Sequence, residues 1–152
     1  MTSGLLGQSD IDNEAKLFHD GLALFNEGQW FDAHEVWEDI WHMASGDKKR
    51  FYQGLIQYAV TLEHIRRGNP RGVRCVYKTA LTKFEGLSDV YMGFHIPRQL
   101  AELERVVQPV LAMGPKAFEP ATGRGQDMPV DLADAPKIEL EYDPFLDEQA
   151  EG

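Results

Sequence analysis

The sequence predicts an all-α fold, a single helical bundle of about five helices with an extended C-terminal tail. Three observations carry this reading. Apolar residues recur at three- and four-residue spacing from Phe18 to Leu111, the period of helices that each bury one face. Turns containing glycine or proline separate the periodic runs. After Gly114 the period is lost, and five of the eight prolines fall within the last 38 residues. The expected organisation is a leader over 1–11, a helical bundle domain over 12–114, and a Pro-rich acidic tail over 115–152.

A chain of 152 residues with 43% apolar and 26% charged residues has the composition of one ordinary globular domain. Its net charge of −10 argues against a nucleic-acid coat or an anionic membrane as partner. The single cysteine, Cys75, allows no intramolecular disulfide and fits a reducing cytosol. The first residues lack the basic region and apolar run of a signal peptide, and no apolar run approaches the ~20 residues that span a bilayer. These features lead us to expect a cytoplasmic protein, monomer or homodimer, without a membrane or nucleic-acid partner.

The first helix is expected from about Asn13 to Glu27, with Asp12 as N-cap and Phe18, Leu22 and Phe25 on one face. Gly28 closes it in a left-handed conformation. The second helix ends near Met43, and its Trp30, Ala33, Trp37, Ile40 and Trp41 share an apolar face opposite Asp32, Glu35 and Asp39. The third, Lys48 to Arg67, is uncharged from Phe51 to Leu62 and reads as the central helix. In Gly68-Asn69-Pro70 the glycine ends one helix, the asparagine caps the next, and the proline takes its first position. The fourth helix runs to about Glu85, and a Gly- and aromatic-containing link over 86–95 leads into a fifth from Pro97. Leu100, Leu103, Val107 and Leu111 of the fifth face inward, with Pro109 placed to kink or end it.

In the tail, 138–142 alternate as a strand would, without an obvious partner strand, and 134–152 carry seven acids against one lysine. Part of the tail is expected to dock on the helices and the rest to be disordered, with 134–152 partly held by the basic turn between the third and fourth helices. A repeat of about 40 residues pairs Gly28 with Gly68, Ala33 with Val73, Trp37 with Tyr77 and Trp41 with Leu81. Phe25-x-x-Gly28-x-Trp30-x-x-Ala33 is similar to a tetratricopeptide hairpin, so both copies read as αα-hairpins.

Phe25-Asn26-Glu27-Gly28, His34-Glu35-Val36-Trp37-Glu38-Asp39-Ile40-Trp41, Phe51-Tyr52-Gln53-Gly54-Leu55-Ile56-Gln57, His64 and Gly68-Asn69 stand in the order and spacing of a known family. Over roughly residues 15–87 the chain closely resembles the domain of unknown function family 309. The resemblance implies a compact helical bundle and no particular activity.

Two groups of residues are candidate sites. His34 and Glu38, at i,i+4 on the edge of the second helix, lie beside the apolar face; Gln57 and His64 share a polar stripe on the third. His34-Glu35-x-x-Glu38 departs from the zincin pattern, because its fifth position is a carboxylate where zinc needs a second imidazole. The four side chains are expected to meet in one polar cluster, satisfying one another structurally; a divalent metal held by two imidazoles and a carboxylate is the alternative. Arg67, Arg71, Arg74 and Lys78 form the second group, a candidate anion- or RNA-binding face whose simpler reading is a solvated surface. No nucleophile motif or phosphate loop is present. The expected function is a non-catalytic binding or scaffolding domain without cofactor, its partner an unidentified protein or small molecule; a small enzyme or metal-binding protein is the rival.

Overall fold

The computed structural model describes residues 7–146. Five helices follow one another as α1 (Gln8–Asn26), α2 (Trp30–Met43), α3 (Gly46–Arg66), α4 (Pro70–Lys83) and α5 (Ile96–Leu111), with a two-stranded hairpin, β1 (Val90–Tyr91) and β2 (Phe94–His95), before α5. The all-α expectation holds. The central helix is α3, packed between α2 and α4; α1 packs on α2 and also reaches α3, where the Phe25 ring meets that of Tyr58 with centres 5.5 Å apart. Phe51, Tyr52, Leu55, Tyr58, Ala59 and Leu62 of α3 are fully buried, as a helix enclosed on most sides must be. No helix among the described residues is long and apolar enough to cross a membrane.

The 40-residue repeat is written in the turns. Gly28 (φ +83°) and Gly68 (φ +64°) are both left-handed. Around Gly28, the Gly28 N–H donates to Phe25 O and the Gln29 N–H to Leu24 O, each at 2.9 Å. Around Gly68, the Gly68 N–H donates to Ile65 O at 3.0 Å and the Asn69 N–H to His64 O at 2.9 Å. This is the Schellman arrangement, in which a left-handed residue lets two N–H groups satisfy carbonyls of the last turn. Both turns open directly into the next helix, and the matched Ala33 and Val73 are each fully buried. Asn69 caps α4 through its side chain on the Gly72 N–H, with Pro70 at the first helical position.

The structure corrects the start of the first helix and adds detail to three other expectations. Helix α1 starts at Gln8 behind Gly7, not at Asn13 behind Asp12, so 8–11 belong to the bundle while 1–6 lie outside the described residues. Ile11 packs on the core and extends the apolar face by a turn. The 86–95 link holds the hairpin, whose turn places Met92 (φ 51°) and Gly93 (φ 78°) in the left-handed region, the geometry that matches the twist of two short strands. Pro109 sits within α5, which runs on to Leu111. The tail is extended over 135–140, but Ala135, Ile138 and Phe145 belong to the core; 147–152 lie outside the described residues.

Candidate functional site

On α2, the His34 ring stands between two oxygens. Its Nδ1 is 3.1 Å from Phe31 O, and its Nε2 is 3.4 Å from the Glu38 carboxylate. His64 finds a different partner, Asn69. Because Asn69 Oδ1 accepts from the Gly72 N–H at 3.1 Å, its Nδ2 must donate to His64 Nδ1, 3.2 Å away. His64 Nδ1 is then an acceptor and the ring is neutral with its proton on Nε2. Burial first, then Arg124 and Arg67, holds the His64 pKa below the usual histidine value. Gln57 Oε1 is buried without a hydrogen-bond partner, as are Trp30 Nε1 and Trp41 Nε1. The structure thus joins His34 to Glu38 and His64 to Asn69, and neither pair's hydrogen bonds cross between α2 and α3. Among the described residues no group of three or more His, Cys, Asp or Glu side chains has the geometry to hold a metal ion.

The basic turn is engaged in structure on one side. Glu63, 4% exposed, accepts from both Arg66 and Arg67. Burial works against its charge, yet the two guanidinium groups hold its pKa below the usual carboxylate value. The Arg67 guanidinium also lies 5.2 Å from the Phe31 ring centre, and that of Arg74 lies 4.4 Å from Phe118. Arg71 and Lys78 are exposed. What covers this turn is the chain after α5: the Gly125 N–H donates to Arg67 O at 3.0 Å and the Gln126 N–H to Gly68 O at 3.1 Å.

The tail's acids go elsewhere than expected. Asp134 pairs with Arg105 at 3.3 Å and Glu141 with Arg98 at 2.7 Å, both arginines on α5. Asp143 pairs with His19 of α1 at 3.0 Å. Helix geometry explains the change: Arg98 and Arg105 are seven residues apart on one face of α5, along the path the tail takes.

That path is a groove bridging α5 and α1, and its walls read backbone. Asn26, the last residue of α1, donates from Nδ2 to Ile138 O at 2.9 Å and accepts at Oδ1 from the Ile138 N–H at 2.8 Å. One amide side chain therefore pairs with both main-chain groups of one residue, as a neighbouring strand would. Gln99 of α5, 4% exposed, donates to Lys137 O at 3.2 Å and is itself held through its main-chain carbonyl by the Tyr58 hydroxyl of α3 at 2.9 Å. Burial, with Glu102 adding, pushes the Tyr58 pKa far up, so its proton is always available to donate. The Glu141 N–H donates to Gly93 O at 2.7 Å. A Cβ at Gly93 would overlap Tyr142 O, so the close approach of hairpin and tail requires glycine there.

Side-chain anchors complete the groove. Ile138 is 3% and Phe145 8% exposed, the latter with its ring edge-on to Phe18, centres 5.7 Å apart. Lys137 Nζ reaches Asn26 O at 2.6 Å, at the negative end of α1. A cavity of about 270 Å³ remains between α5 and the tail, lined by Arg98, Gln99, Glu102, Arg105, Asp134 and Lys137.

The two matched turns, α2 with its His34–Glu38 pair, and the central helix fall in one continuous stretch. Residues 18–76 match DUF309, a domain of unknown function. The DUF309 stretch contains the α1 wall of the groove, with His19 and Asn26, and also Tyr58 behind it. The α5 wall and the tail lie beyond it. An uncharacterised protein of Aquifex aeolicus (strain VF5) is 32% identical over 98 residues, which are 64% of this chain and 29% of that one. The chain therefore spans under a third of that relative's length.

Asn26, Gln99, Gly93 and His19 are the site residues that sequence reasoning missed. Each is polar or small at a helix end, on a helix face or in a turn, and acquires its role from a residue 38 to 124 positions away or from an equally distant backbone.

Proposed function

We propose that this protein is a non-catalytic binding domain whose α1–α5 groove holds a chain segment, occupied here by its own residues 134–145, which are extended over 135–140. The observation that carries the reading is the paired bonding of Asn26 to the N–H and C=O of Ile138. Recognition through main-chain groups, with pockets for alternate side chains, is the physics by which extended peptides add to a protein. Two αα-hairpins with the same turn, in the manner of tetratricopeptide units, supply a rigid wall for such a groove. A similarity that covers only 29% of a longer relative fits a module that docks a segment of chain.

The test uses the full chain with its own segment weakened by Ile138→Ala and Phe145→Ala, and a fluorescent peptide of residues 134–146. Saturable binding is expected, much weaker to the unaltered chain, because a tethered segment competes at a high effective concentration. Adding Asn26→Ala should remove it. A folded double variant, by circular dichroism, that ignores the peptide overturns the reading.

A further inference from the structure

Resting on that reading, we infer that the groove selects acidic segments: its ligand is a stretch of a partner protein with an aliphatic anchor in extended chain, a carboxylate three residues later and an aromatic anchor four beyond that, in a helical turn. The spacing is set by what the groove presents to Ile138, Glu141 and Phe145. Ile138 enters between Asn26 and the core, and Phe145 meets the Phe18 ring. Between these anchors Arg98 receives the Glu141 carboxylate at 2.7 Å. The His19 ring also lies between them, 3.0 Å from the Asp143 carboxylate, and ahead of Ile138 a second cation, Arg105, meets Asp134 at 3.3 Å.

The cations are unequal. Arg105 also serves Glu102 on its own helix, at 2.9 Å, so its charge is already partly answered when the groove is empty. Arg98 has no carboxylate on its own helix within ion-pair distance and depends on the ligand for one, which makes it the position that discriminates. On an otherwise acidic chain of net charge −10, a groove with two arginines along it is a local reversal of sign. Two copies of the chain repel through that same net charge, which favours an acidic segment carried by a different protein over exchange of tails between copies.

A charge exchange between groove and ligand tests this. The Ile138→Ala/Phe145→Ala full chain is titrated with the 134–146 peptide and with its Glu141→Gln and Glu141→Arg versions at low and high salt. The Glu141→Gln peptide should bind about two- to fivefold more weakly, the range of one exposed ion pair, and with a shallower salt dependence. The Glu141→Arg peptide should bind more weakly still, and Arg98→Glu in the protein should restore it. If all three peptides bind alike, the selectivity is overturned while the groove stands. If none binds to the folded variant, the groove reading itself falls. Should the double variant not fold, hydrogen exchange over 134–146 in the otherwise unaltered chain decides. Arg98→Glu alone and Glu141→Arg alone should each speed exchange and the pair restore it, and equal exchange in all three overturns the selectivity. Sedimentation showing dimers of the unaltered chain that Arg98→Glu dissolves would overturn the partner segment in favour of a second copy.

Discussion

At the scale of single residues, Trp37 carries the largest packing term that the sequence foretold. It is fully buried, its ring centre lies 6.2 Å from that of Phe25, and its Nε1 donates to Phe18 O at 3.2 Å. Gly21 of α1 lies beneath it, where any Cβ would overlap the indole. Trp37→Ala should cost about 3–5 kcal/mol, the range for large aromatic truncations that leave a cavity, and a shift of the denaturant midpoint checks it. His64 gives a pH signature. Its folded pKa lies below the unfolded value, so at high pH it contributes no difference. As pH falls through about 6.5 the unfolded chain takes up the proton first, and stability is lost until the folded pKa is passed. Melting temperature should drop between about pH 7.5 and about pH 5.5 more steeply in the wild type than in His64→Asn. Identical slopes would show that this histidine is not held neutral. The polarity of the stripe on α3 was legible in the sequence, but the partner of His64 was not. Asn69 is spent on capping when read locally, and only the fold shows that one amide serves Gly72 and His64 together.

At the scale of elements, helices with local signals behaved as their sequences say, and the elements without them did not. The glycine turns at 28 and 68 are decided within six residues, since the Schellman bonds join neighbours. The start of α1 escaped because its first turn has no side-chain cap; it is held instead by Ile11 on the core, with the first-turn acid Asp10 favoured by the helix dipole. The alternation holds over 138–141 and fails at the exposed Tyr142, and among the described residues no strand pairs with it: an asparagine side chain and the hairpin turn take that place. The tail is therefore an element of the core. Truncation after residue 133 should destabilise the protein by about 3–6 kcal/mol, from exposing the sites of Ile138 and Phe145 at about 1.5–3 kcal/mol each. Urea melts of the truncated and full chains check it, and a loss under 1 kcal/mol would show the segment to be peripheral. Asp143 adds a pH term to the same docking. Burial alone would raise its pKa, but the Phe145 and Leu146 N–H groups and His19 bring it below the usual value, so its contribution is present at neutral pH and lost as acid protonates it.

At the scale of the whole molecule, the sequence by itself determined the class of fold, the order of the helices, the central place of α3 and the repetition of one hairpin. All of these follow from periodicity and turn chemistry, which act over a few neighbouring residues. The similarity of residues 18–76 to DUF309 was legible for the same reason, since its motifs sit on those local features. The tertiary structure alone decided where the acidic tail goes. Opposite charge blocks pointed to the basic turn at 66–78, but there Glu63 already answers Arg66 and Arg67, and residues 125–126 close over the backbone. The tail instead meets α5 and α1, which both pack on Tyr58 of α3 and are brought together through it. The bond between Asn26 and Ile138 spans 112 positions. No pattern in a sequence reveals such a pair, because a side-chain amide has no preferred partner until packing has brought one within hydrogen-bond reach and excluded the water that would otherwise take its place.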